Sequence, residues 1–231
     1  MVASVLSRIA GATDSRFFNG LASSDVQSIL AVATVRRFPA HIVITRQGNL
    51  AEHIHLLQNG RARFFYMTRS GQTILLRWFI PGEIFGGAAL VESPSRYLVS
   101  TETVRDSTVL SWDRKTIRQL VVRYPRLLEN TLEIAVEYLS LYVSAHVALV
   151  CHNANRRIAE ILLNLAATIG HSCGNGFEID VTNEELANAA NVTLFTASRF
   201  VAEWQRRGAL TKSRGKLLIQ HPERLITAAT E

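Results

Sequence analysis

At 231 residues and 48% hydrophobic content, the chain is long enough for one large or two modest domains and apolar enough to fold unaided. Its formal net charge of +6 and pI near 9.8 favour a polyanionic partner. Cys151 and Cys173 are the only cysteines, which excludes a four-thiolate iron–sulfur cluster; no histidines stand at zinc spacing from them, leaving incidental reduced thiols or a redox pair.

The chain opens on MVASVLSRIAGATDSRFF, an apolar helical pattern broken by Arg and Asp. It is too short and too polar for a signal peptide or a membrane span, so the expected location is cytoplasmic, with no membrane partner. From Phe38 to Trp112, β-rich runs (HIVIT, HIHLL, RARFFYM, TILLRWF, TVLSW) alternate with turn signals at QGN, QNG, RSGQ and PGE. That alternation is the signature of an antiparallel sandwich or barrel, with Gly48, Gly60, Gly71, Gly82 and Gly86 at its corners.

After Pro125 the pattern becomes one long helix reaching about Val150. Leu128, Leu132, Ala135, Leu139, Tyr142, His146 and Leu149 repeat at alternating four and three spacing, as a coiled-coil seam requires. A second stripe, Leu127, Ile134, Leu141 and Ala148, is left to cover the barrel. A helix with two apolar faces must bury both, so a homodimer joined along it is expected.

The segment Val181–Ile219 reads as a helix-turn-helix followed by a basic two-stranded wing. Thr182 and Glu185 have the spacing of a capping box, predicting a helix from about Asn183 to Ala190. Asn191 suits the sharp turn, and Thr193 caps a second helix. On that helix Ala197, Phe200, Val201 and Trp204 form one buried stripe, while Leu194, Phe195, Ser198, Arg199 and Arg206 lie opposite. In a helix-turn-helix the second helix enters the major groove with its N-terminal residues on base edges. Arg199 is the candidate for a bidentate contact to guanine, and Thr196 or Ser198 for a base or a phosphate. Phe195 either packs on thymine methyl groups or folds back onto the domain. Arg207, Lys212, Arg214 and Lys216 add positive charge with only Glu203 opposing them nearby, so phosphate contact is expected rather than a merely solvated surface. The expected partner is double-stranded DNA carrying a palindromic operator, because a dimer presents two recognition helices about one helical turn apart.

Taken together, FFNGLASSDV, RQGNLAEHIHLLQNG, PGEIFGGAAL, YPRLL, RRIAEILLNLA and the helix-turn-helix resemble the Crp/Fnr family of bacterial transcription regulators over nearly the whole length. The resemblance implies an α+β fold with three parts: an N-terminal antiparallel β-roll of the cyclic-nucleotide-binding type, with N-terminal helices, over residues 1–123; a dimerisation helix over 124–150; and a winged helix-turn-helix over 151–231. It also implies RNA polymerase as a partner. Relatives that read TGTGA or TTGAT half-sites carry a glutamate where this chain has Phe195.

The family's best-known effector is cyclic AMP, and its pocket would fall on Gly86, Gly87, Ala88, Arg96, Tyr97 and Tyr142. The departures are repeated. Gly87 replaces the ribose-binding glutamate, Tyr97 and Leu98 replace the phosphate-binding Arg-Ser pair, and Tyr142 and Val143 replace the purine-binding Thr-Ser pair. Ungapped alignment leaves Arg96 one residue early, facing the other side of a strand. Each lost polar partner costs roughly 1–3 kcal/mol, so a cyclic AMP response is not expected. His53, His55 and His146 offer a haem alternative, although lone half-buried histidines are more often structural.

Two readings from other classes remain. An enzyme is disfavoured because no nucleophile elbow, phosphate-binding glycine loop or metal-ligand spacing appears. A cyclic-nucleotide-binding regulatory subunit of an enzyme assembly would carry a docking element where this chain has a basic recognition face.

Overall fold

In the computed structural model, which describes Thr13 and residues 15–174, 176–213 and 215–225, the expected strands pair into antiparallel sheets. Nearly all of the N-terminal helical pattern, and Arg214 of the wing, lie outside the described residues. Contacts divide the chain into two units: residues up to Gln72 with Leu76–Ser140, and Thr73–Leu75 with everything from Leu141.

The first unit is a roll of two four-stranded sheets. One has the order β1 (Thr34–Phe38), β8 (Ser107–Asp113), β3 (His53–Asn59), β6 (Ile84–Phe85); the other runs β2 (Val43–Thr45), β7 (Ser100–Thr103), β4 (Ala62–Met67), β5 (Thr73–Phe79). The sequence patterning missed β1, β6 and β7. β1 has four exposed residues in five, β6 is only two residues long, and β7 carries no apolar alternation. All five predicted corner glycines adopt positive φ.

β3 explains how the roll holds its helices. Ile54 and Leu56 pack with Phe17, Ile29, Leu110, Trp112, Ile117, Leu127 and Ile134 in one core cluster, whereas Leu57 joins Phe64, Phe79, Phe85 and Val109 in another. Successive strand residues point to opposite faces, so a strand buried on both sides loses its alternation. The first cluster takes in α1 (Ser23–Ala31), α2 (Arg114–Arg123) and the start of α3 (Arg126–Cys151). Trp112 donates its indole N–H to the Ile29 carbonyl at 2.9 Å, which satisfies the polar end of a buried ring.

The second stripe expected on α3 needs correcting. Leu127 and Ile134 are buried, but Leu141 is exposed and Ala148 only half-buried; the face committed to the core runs through Leu127, Asn130, Ile134 and Tyr138. A strict seven-residue repeat drifts by about 20° per heptad on a straight helix, so a face held by one rigid core follows three- and four-residue steps. Asn130 donates to the Phe17 and Asn19 carbonyls, at 2.9 Å each, fastening α3 to the segment before α1. Among the described residues α3 is also the one helix long and apolar enough to span a bilayer, with mean hydropathy 1.6, yet its first half is tied into this core.

The second unit contains α4 (Ala154–Ile169), α5 (Asn183–Ala190), α6 (Leu194–Arg206) and a sheet ordered β11 (Leu210–Ser213), β12 (Lys216–Ile219), β10 (Gly176–Asp180), β9 (His171–Cys173). α4 buries Ile158, Ala159, Leu162, Leu165, Ala166 and Ile169, a stripe of three- and four-residue steps.

Candidate nucleic-acid interface and effector corner

α5 begins and ends where its sequence dictates. Glu185 N–H donates to Thr182 Oγ1 at 3.1 Å and Thr182 N–H donates to the Glu185 carboxylate at 2.9 Å, so two orphan amides of the first turn are satisfied reciprocally. Asn191 then turns the chain in the left-handed region, at φ 50°, and Thr193 accepts from the Thr196 amide at 3.1 Å to start α6. Thr182, placed by sequence on the DNA face, is therefore engaged in the cap.

Ala197, Val201 and Trp204 are buried as expected. Phe200 is only half-buried: its ring stacks on Trp204 at 6.0 Å between centroids while its other side lies under the Arg199 guanidinium at 4.9 Å. Leu194, Phe195, Arg199 and Arg206 are exposed, so Phe195 does not fold back onto the domain. Ser198 is half-buried, because Asn183 at the start of α5 donates to its hydroxyl at 2.8 Å.

The basic surface is less uniform than its sequence. Arg207 pairs with Glu203 at 2.7 Å, and Lys216 with Glu178 on β10 at 2.6 Å. The proximity of Glu178 follows from the register Asp180↔Lys216 and Glu178↔Leu218, a pairing across 38 residues invisible to local patterning. Arg199, Arg206 and Lys212 have no ion pair with a described residue. The wing strands pair antiparallel, Ser213 opposite Lys216, which puts Lys212 and Lys216 on one short hairpin.

Sequence reasoning also missed Asn183 and Arg157. Arg157 on α4 donates to the Ala190 carbonyl at 3.0 Å and to the His152 carbonyl at 2.8 Å. Only tertiary structure brings these pairs together.

In the first unit, Gly86 (φ 82°) leads into a 3-10 turn over Gly87–Leu90 that contains Ala88. A Cβ on Gly86 would lie 2.6 Å from the His53 carbonyl oxygen and 3.3 Å from the Tyr97 ring, so this corner admits only glycine. The Tyr97 phenol donates to that same His53 carbonyl at 2.9 Å and accepts from the His53 amide at 3.1 Å. Tyr97 and Arg96 belong to an irregular segment with a single bridge, Leu50 to Arg96, and not to the strand expected there; Arg96 instead turns its guanidinium to the Gly48 carbonyl. Burial raises the Tyr97 pKa. Tyr142 belongs to the second unit and is half-buried on α3.

The histidines divide. His55 is buried, stacks on Phe85 at 4.9 Å and is 2.8 Å from the Ser111 hydroxyl; burial, then the neighbouring His53 and Arg36, pull its pKa down to about 3. His53 stacks on His55 at 5.8 Å, and His146 is exposed on α3. Cys151 and Cys173 are both exposed free thiols.

A cyclic nucleotide-binding domain family matches residues 35–124, and a Crp-like helix-turn-helix domain matches residues 156–228. The chain belongs to the Crp/Fnr family of transcriptional regulators. This Crp/Fnr regulator is 27% identical over 206 residues to the cyclic AMP receptor protein of Thermus thermophilus, covering 89% of this chain and 93% of that protein. It is 22% identical over 204 residues to the anaerobic regulatory protein of Bacillus subtilis, covering 87% and 86%. Its fold matches that of FixK2 from Bradyrhizobium japonicum with a TM-score of 0.74 at 18% identity, covering 85% of this chain and 96% of that one. The antiparallel roll, the long helix and the C-terminal helix-turn-helix are thus the Crp/Fnr fold, and the helix-turn-helix is its DNA-binding element.

Proposed function

We propose that this regulator acts in the cytoplasm as a homodimer on a palindromic operator. Residues 1–123 serve as effector or allosteric domain, 124–150 as dimer helix and 151–231 as DNA reader. The observation that carries the dimer is α3: Leu132 and Leu139 are 64% and 62% exposed, and Leu128 and Leu149 lie exposed with them at seam spacing. A row of large apolar side chains along one helix is stable in water only when another surface covers it, and a second copy presents the same row. Ala135 and His146 are exposed in the same seam, and Tyr142 is half-buried there.

The DNA face consists of Leu194, Phe195, Thr196, Ser198 and Arg199 for bases, with Arg206, Lys212 and Lys216 for phosphates. Thr182 and Thr193 hold the two helices in place by capping. RNA polymerase is the further partner that the regulator role calls for.

The roll does not answer to cyclic AMP in this reading. Gly87 offers no carboxylate to a ribose, Leu98 no hydroxyl to a phosphate, and the Tyr97 phenol is already spent on the His53 backbone in both directions. Leaving several ligand groups unpaired, at roughly 1–3 kcal/mol each, removes useful affinity. Haem is not favoured: His55 is buried against Ser111 and Phe85, which leaves only His53 and His146 as ligands.

Selection of the purified protein against randomised duplex DNA, with and without saturating cyclic AMP, tests the whole reading. The same palindrome is expected in both arms; enrichment only with nucleotide would overturn the account of the roll.

A further inference from the structure

The reading helix carries an apolar tip. Phe195 is 77% exposed and Leu194 beside it 53%, in the first turn of α6. Exposed apolar side chains scattered singly are ordinary on a protein surface, but these two are adjacent at the end of a recognition helix that meets base edges. The polar groups around them are committed elsewhere. Thr193 Oγ1 accepts from the Thr196 amide at 3.1 Å and lies 2.9 Å from the Thr196 hydroxyl. Ser198 Oγ is held by Asn183. Arg199, exposed one turn further on, is the reading-face side chain with an unspent hydrogen-bonding fork.

A phenyl ring has neither donor nor acceptor, so it cannot read the hydrogen-bonding pattern that distinguishes guanine, cytosine and adenine. The apolar group on a base edge in the major groove is the pyrimidine 5-methyl of thymine, which 5-methylcytosine also carries. We propose that Phe195, backed by Leu194, is a specificity-determining residue that recognises a pyrimidine 5-methyl group in each half-site. The inference rests on the DNA-binding reading above and deepens it. It gives the operator two kinds of determinant: a hydrogen-bonded pair under Arg199 and a methyl-bearing pair under Phe195.

The test uses the full-length protein and the operator recovered by selection. Each thymine is replaced in turn by deoxyuridine, which removes the methyl group and leaves every hydrogen-bonding group in place. One thymine per half-site should prove sensitive, weakening binding about fourfold, the equivalent of ~0.8 kcal/mol for one buried methyl-sized group. Replacing it in both half-sites should weaken binding roughly 15-fold by the same arithmetic. Phe195→Ala should bind the thymine and deoxyuridine duplexes equally, whereas Phe195→Leu should keep part of the preference. At the sensitive position, 5-methylcytosine should bind better than cytosine by the same factor, which separates the methyl group from the rest of thymine.

If no thymine is sensitive, or if Phe195→Ala weakens both duplexes by one common factor, Phe195 reads no methyl group and its exposed ring serves packing or another protein. If the wild type binds no duplex selectively, the DNA-binding reading itself fails, and that outcome is distinct because no operator is recovered.

Discussion

Asn183 donates its side-chain amide to Ser198 Oγ at 2.8 Å, joining the first residue of α5 to the second turn of α6. The bond orients the hydroxyl on the reading face and ties together the two helices of the DNA-binding element. Asn183→Ala should therefore cost about 1 kcal/mol of stability in urea titration and weaken operator binding more than binding to random DNA. An unchanged urea midpoint together with unchanged operator affinity would show that water replaces the bond at no cost.

Arg199 is exposed, with its guanidinium above the Phe200 ring. Arg199→Ala should cost about 1–3 kcal/mol at the operator and relax preference at one base pair, read by repeating the selection with the variant. Wild-type affinity for both operator and random DNA would place the reading face elsewhere.

Lys216 and Glu178 set opposing expectations. Lys216→Ala should weaken all sequences alike and lower the slope of log affinity against log salt by about 1. Glu178→Gln removes the carboxylate that shares this ammonium, so it should strengthen binding to random DNA. Salt titrations of both variants on one duplex make the comparison; a change in the same direction would mean that Lys216 faces no phosphate.

His55 sets a pH dependence. Its folded pKa, pulled down to about 3 by burial and nearby positive groups, lies below the unfolded value near 6.5, so the unfolded chain binds the extra proton between these limits. The neutral ring's contribution to stability is fully present above about pH 6.5 and is lost as pH falls towards 3, with a slope approaching 1.4 kcal/mol per pH unit. Urea midpoints of wild type and His55→Gln at pH 7.5, 6 and 5 isolate the effect from that of the carboxylates. Parallel pH profiles would mean that the ring is protonated inside the fold.

The α3 seam predicts its own disruption. Leu132 is largely exposed within one chain, so Leu132→Glu should leave the protomer folded while sedimentation shows a monomer and operator affinity drops by more than 100-fold, about 3 kcal/mol. A dimer of unchanged affinity would move the interface off α3.

What the sequence made legible was local. Thr182 and Glu185 lie three residues apart, Asn191 turns the chain beside them, and a capping box depends on nothing else, so α5 was readable to its ends. The long helix and the paired wing strands were legible for the same reason. The second stripe of α3 was misread because heptad spacing describes a supercoiled seam, whereas Leu127, Ile134 and Tyr138 follow one rigid core. Lys216 with Glu178, and Ser198 with Asn183, meet across 38 and 15 residues, distances at which patterning carries no signal. At Tyr97 the sequence showed what was lost from a nucleotide pocket but not what replaced it, because the phenol's partner is the backbone of His53, 44 residues away.

Arg157 grips two carbonyls at once, His152 just past the end of α3 and Ala190 at the end of α5. A planar guanidinium holds such a pair in fixed geometry, which a lysine's single rotatable ammonium does not. The junction behind the recognition element is therefore a clamp and not a swivel. Torsion arriving at His152 is delivered to the helix-turn-helix corner instead of being absorbed along the way.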